Sequence, residues 1–112
     1  MIIDDSPEFV AAARGLLESE DLTVVGVAAD GDGAVSCVAE LRPDVALVDL
    51  NLGAESGLDV AARIAPTTTT IIIVSTERGD DLEALIAAGP AAGFVPKARL
   101  SRAAIAAILD GR

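Results

Sequence analysis

Five polar side chains stand where apolar runs of this chain stop: Asp4 and Asp5 after "MII", Asp49 just past "DVALV", Ser75 after "TIIIV", and Lys97 after "AAGFVP". If those runs are strands of one open parallel sheet, their C-terminal ends share an edge, and such sheets bind ligands there. Three carboxylates, a hydroxyl and an amine would then meet in one crevice. Crowded carboxylates repel one another, and burial raises the cost of ionising them. A bound hard cation resolves the conflict. With oxygen donors only, no histidine and a single cysteine, the set favours Mg2+ over zinc. A carboxylate beside such a cation can attack phosphorus and become an aspartyl phosphate. The cation, the ammonium and the hydroxyl would each take a phosphoryl oxygen and spread the developing charge. The plainer reading of "DDS" is a solvated acidic turn before a helix.

The elements that must position these groups are legible as alternating runs. Apolar stretches at 1–3, 22–28, 44–48, 70–74 and 91–96 are continuous, as expected of strands covered on both faces. Between them lie helical patterns with caps. Ser6 with Pro7 opens the first, whose apolar face is Phe9, Val10, Ala13, Leu16 and Leu17. Asp32 is the expected cap of the second, with Val35, Val38 and Leu41 on one face before Pro43. Ser56 or Glu55 precedes the third, which turns Leu58, Ala61, Ala62 and Ile64 one way. The fourth carries Leu82, Leu85 and Ile86, has Asp80 and Asp81 at a solvated start, and stops at Gly89-Pro90. Ser101 caps the fifth, with Leu100 and Ile105 as a hydrophobic staple. Strand and helix alternating in this way predict an α/β fold of (βα)5 type. By analogy with flavodoxin-like folds it is expected to be a doubly wound three-layer sandwich with a five-stranded parallel sheet of order 2-1-3-4-5.

Composition narrows the function classes. The 112 residues are 52% hydrophobic, enough for a buried core, and make one domain. A formal charge of −10 disfavours direct nucleic-acid binding and docking on anionic membrane. No run approaches a spanning helix, and the N-terminus lacks the basic region of a signal peptide, so a cytoplasmic location is expected. Cys37, alone in an apolar helical pattern, is expected to be a core thiol. A single domain spans 1–112; with no further domain after "ILDGR" the chain reads as either a stand-alone domain or a cut-out from a longer protein, and the Gly-Arg end favours the first.

The motifs "IIDDS", "PDVALVDLNLGAESGLDV", "IIIVST" and "GFVPK", in this order, resemble the receiver domain of bacterial two-component response regulators over essentially the whole chain. The resemblance implies that Asp49 is the phosphoacceptor, Asp5 a direct Mg2+ ligand, and Asp4 an acidic group acting through water. It implies that Asn51 offers its backbone carbonyl to the metal and that Lys97 pairs with the phosphoryl group. Ser75 takes the hydroxyl role, and Phe94 is the switch aromatic that turns inward as the hydroxyl moves. Glu77 falls where members vary and tune dephosphorylation. The sequence departs from the common pattern at Gly53 (often proline), at Thr76 (often smaller), at Phe94 (often tyrosine), and at Pro96-Lys97-Ala98, where proline precedes the lysine rather than following it.

By the same resemblance a sensor histidine kinase or histidine phosphotransfer protein would donate the phosphoryl group to Asp49. The surface of the fourth helix, fifth strand and fifth helix would then change toward an unnamed protein target or a homodimer. Such a chain modifies itself and is not a turnover enzyme. Two rival readings are a pseudo-receiver that binds proteins without taking phosphate, and a small Mg2+-dependent phosphatase built on "DLN".

Overall fold

The computed structural model describes residues 1–67, 69–76 and 80–111, with the backbone only over 80–83. The chain runs β1 (Ile2–Ile3), α1 (Pro7–Ser19), β2 (Val27–Ala28), α2 (Gly31–Leu41), β3 (Val45–Asp49), a small hairpin of β4 (Asn51–Leu52) and β5 (Glu55–Ser56), α3 (Gly57–Ile64), β6 (Thr70–Ser75), α4 (Asp80–Ala88), β7 (Gly93–Pro96), a short 3-10 turn (Lys97–Arg99) and α5 (Arg102–Asp110). The main sheet is parallel throughout, in the order β2-β1-β3-β6-β7. With the hairpin strands left out of the count, this is the expected order, β6 and β7 being the fourth and fifth strands.

Continuous apolar runs behave as expected at the sheet centre, where each successive residue must be covered on an alternate face. Ile71 and Ile73 of β6 join the cluster beneath α2, α3 and Ile86 of α4. Ile72 and Val74 join the one formed with Ala13 and Leu17 of α1 and Ile105 of α5. All six residues of β6 are buried, and each such aliphatic side chain contributes roughly 1.5–3 kcal/mol by leaving water. β1 is short, but the pairing extends one residue before it: Leu47 N donates to the Met1 carbonyl at 2.9 Å.

The helix starts follow their caps. Ser6, Ser56 and Ser101 accept from the backbone N–H groups of Phe9, Leu58 and Ala104, and Pro7 is the first residue of α1. Leu100 and Ile105 are buried in one cluster on either side of the Ser101 cap, as a staple requires.

Several expectations are corrected. The run 22–28 yields only Val27–Ala28 as strand, and Val25 and Val27 are exposed. β2 is an edge strand paired on one side only, so its run lacks the second cover that the central strands have. The cap of α2 is Asp30, which accepts from Gly33 N at 2.7 Å; Asp32 lies in the first turn and pairs instead with Arg63. Leu16, Leu41 and Leu85 are exposed, and in α3 Val60 is buried where Ala62 was expected to be. Each of these leucines lies at the margin of its helix's apolar stripe, which the layer does not reach. Cys37 is half-buried against the core edge rather than enclosed. The readings for Glu77 and for the side chains of Asp80, Asp81 and Leu82 fall outside the described residues.

Candidate functional site

The C-terminal ends of β1 and β3 are hydrogen-bonded neighbours, and this brings the two acidic stretches together. Asp4 follows β1 directly. Its N–H donates to the Ala28 carbonyl at 2.9 Å, so the sheet pairing carries on through it and turns its side chain into the interior, where it is 2% exposed. Its Oδ1 accepts from Ser6 N at 2.8 Å, which joins the carboxylate to the start of α1. Asp5, the next residue, faces solvent. Asp49 ends β3 and is 6% exposed.

After Asp49 the chain doubles back through β4 and β5, with Asn51 opposite Ser56 and Leu52 opposite Glu55. Gly53 makes the turn at φ +61°, a left-handed value that proline cannot adopt. This accounts for the departure at Gly53 from the proline that the sequence resemblance led one to expect. The hairpin closes on Gly57, whose N–H donates to the Leu50 carbonyl at 2.7 Å. A Cβ on Gly57 would run into the Asp49 carbonyl oxygen and come within 2.8 Å of Leu50 Cα. Glu55 anchors the far side, accepting from Gly31 N at 3.0 Å and facing Arg63 at 3.7 Å.

Lys97 enters from β7. Its Nζ lies 2.8 Å from Asp4 Oδ2 and 3.5 Å from Asp49 Oδ2, with the side chain 15% exposed. The approach to Asp4 is an ion pair off the directions of a hydrogen bond, so Asp4 Oδ2 is buried without a hydrogen-bond donor among the described residues. Carboxylate oxygens of Asp4, Asp5 and Asp49 all lie within 4.8 Å of one another. Burial, and then the Asp4 charge, push the Asp49 carboxyl above its ordinary value, while Lys97 and the Asn51 N–H pull it back. Three carboxylates against one ammonium leave two negative charges uncompensated when all are ionised. Three carboxylates sharing one ammonium and an oxygen-only donor set suit a hard divalent cation such as Mg2+.

The family model described as "Response regulator receiver domain" matches residues 1–109. The chain is a response regulator receiver domain. It is 34% identical over 110 residues to the DNA-binding transcriptional activator EvgA of Escherichia coli (strain K12), covering 96% of this chain and 54% of that protein. It is 33% identical over 88 residues to protein-glutamate methylesterase/protein-glutamine glutaminase 3 of Hahella chejuensis, covering 76% of this chain and 25% of that protein. The receiver thus spans a quarter to about half the length of these relatives. Among solved structures, the two-component response regulator of the LuxR family from Aurantimonas sp. SI85-9A1 superimposes with a TM-score of 0.90 at 30% identity. It covers 100% of this chain and 84% of that one.

Within this receiver the fold brings Asp4, Asp5, Asp49 and Lys97 together. Ser75 is the last residue of β6, one past the Val74 that sits opposite Asp49, and is 1% exposed. Asn51 N lies 3.4 Å from Asp49 Oδ1. Phe94 stands opposite Ile73 in β7 and packs half-buried against the α2–α3 cluster. Pro96 and Lys97 lead straight into the 3-10 turn, so the lysine is fixed without a proline behind it. Thr76 is exposed at the end of β6. Phe9 packs against the core cluster, as its place on the apolar face of α1 predicts, and its ring also lies 4.3 Å from Lys97 Nζ, a contact that sequence reasoning missed. The available signal was the cap: Ser6 as N-cap puts residue 9 in the first turn, at the edge where the only lysine arrives.

Proposed function

We propose that this receiver accepts a phosphoryl group on Asp49 from a phosphohistidine of a sensor histidine kinase or phosphotransfer protein. The observation that carries the reading is the meeting of Asp4, Asp5, Asp49 and Lys97 at one sheet edge, with the Asp49 carboxyl raised above its ordinary value by burial and the Asp4 charge. An Asp49 oxygen forms the new P–O bond as the P–N bond of the donor breaks, and the electron pair leaves on the imidazole nitrogen, which takes up a proton. Lys97 moves its ammonium from the carboxylates to a phosphoryl oxygen, and the Ser75 hydroxyl donates to another. Asp5, Asp49 and the Asn51 carbonyl would hold Mg2+, with Asp4 acting through water, and the cation supplies neutralisation of the phosphoryl charge. Phe94 and Ser75 are the switch pair, altering the face of α4, β7 and α5 that a protein target or a second copy would read. The domain's role is signalling within the cytoplasm rather than turnover of an external substrate.

Incubation with Mg2+ and acetyl phosphate followed by intact mass measurement tests this. One phosphoryl adduct, absent in Asp49→Asn and without Mg2+, is expected. Absence of an adduct with acetyl phosphate and with kinase would favour a protein-binding module, and multiple-turnover phosphate release would favour a phosphatase.

A further inference from the structure

Lys97 is a flexible point charge on a four-carbon stem, and such a side chain needs something to hold it where a reaction requires it. Its carboxylate partners do not suffice. The ion pairs to Asp4 and Asp49 must loosen if the ammonium is to reach a phosphoryl oxygen. Phe9 is the contact that need not change, because a ring face attracts an ammonium anywhere over it within about 6 Å of the centroid and does not compete for the phosphoryl group. The ring is seated by the core: it packs against the cluster of Ile2, Val95, Leu100 and Ile105. Its backbone is seated by the cap, Phe9 N donating to Ser6 Oγ at 3.3 Å. Ser6 N in turn donates to Asp4 Oδ1 at 2.8 Å, and Asp4 Oδ2 meets Lys97 at 2.8 Å. The ring contact at 4.3 Å closes this circuit of Asp4, Ser6, Phe9 and Lys97.

We infer that Phe9 is a positioning residue for phosphoryl transfer, its ring face holding the Lys97 ammonium while that group passes from Asp4 to the phosphoryl oxygens. The inference rests on the reading of Asp49 as acceptor. It explains why one of only two aromatic residues in the chain stands in the first turn of α1.

Because Lys97 is the only lysine, carbon-13 lysine labelling of the whole chain gives one set of side-chain signals for it. The ring should move the Lys97 ε-methylene protons upfield. Phe9→Leu, which keeps an apolar side chain toward the core, should abolish that displacement and slow Mg2+-dependent phosphorylation by acetyl phosphate by about threefold to tenfold. Phe9→Tyr, which keeps the ring, should retain the displacement and react within about twofold of wild type. Wild-type rates in Phe9→Leu, or equal slowing in Phe9→Leu and Phe9→Tyr, would overturn the inference. A missing upfield displacement in a wild-type protein that is phosphorylated overturns the inference alone. A displacement present in a protein that takes no phosphoryl group overturns the acceptor reading and the inference with it.

Discussion

The Lys97 ammonium lies closer to Asp4, at 2.8 Å, than to Asp49, at 3.5 Å. The lysine therefore neutralises chiefly the deeply buried acid, leaving Asp49 the less tightly paired of the two. This suits a carboxylate that must be free to attack, and it makes Lys97 a rival of any cation for the same cluster. Lys97→Met removes that rival. Isothermal titration should show Mg2+ binding tighter by several-fold, since like charges a few ångströms apart oppose each other strongly in a half-buried site. Phosphorylation of the same variant should fall. Mg2+ affinity weakened in Lys97→Met would mean the lysine organises the acids rather than competing for them.

Asp49 gives a pH-dependent stability. Burial and the Asp4 charge raise its carboxyl above the ordinary 3.8, so the folded state prefers the protonated form. That preference stabilises the fold below the unfolded-state value and is lost as pH rises through the raised folded value. At neutral pH, without divalent cations, ionised Asp49 is thus a net cost. Asp49→Asn should raise the midpoint of thermal unfolding at pH 7. The gain should shrink toward zero as pH falls below about 4. An equal gain at both pH values would place its origin outside this carboxyl.

Gly57 is required by closeness rather than by backbone conformation. A methyl group there would meet the carbonyl of Asp49 and the backbone of Leu50. Gly57→Ala should cost about 2 kcal/mol in urea unfolding and displace the acceptor loop, because overpacking against backbone has no flexible neighbour to absorb it. A variant as stable as wild type would show that α3 can shift freely relative to β3.

Gly53 is required by conformation. At φ +61° its turn is closed to proline. Gly53→Pro should destabilise by more than about 1 kcal/mol and weaken Mg2+ binding, since Asn51 sits on the strand that leads into the turn and pairs with the one that leaves it. Unchanged unfolding and titration curves would mean that the hairpin is not held in this form.

The strands, the Ser caps and the acidic cluster were readable because each rests on local chemistry: buried aliphatic runs, a hydroxyl before a helix, polar residues at strand ends; the sheet order came by analogy with flavodoxin-like folds. What escaped depends on partners far along the chain. "ADGDG" offers two aspartates as caps, and the choice of Asp30 goes with Gly31 N donating to Glu55, a contact across 24 residues. The second strand is shorter than its hydrophobic run, with Val25 and Val27 exposed, and a run of apolar residues does not record which of them the layers cover. Phe9 carries the same periodicity as a core residue, and only the arrival of Lys97 from β7 distinguishes it.

Phosphorylation itself can be read at residue level. The protein is treated with acetyl phosphate and Mg2+, reduced with borohydride so that an acyl phosphate becomes homoserine, digested and sequenced by tandem mass spectrometry. Homoserine at position 49 alone is the predicted result. Homoserine at position 4 or 5, or none at all after treatment with acetyl phosphate and with a phosphohistidine donor, would contradict the assignment of Asp49 as the phosphoacceptor.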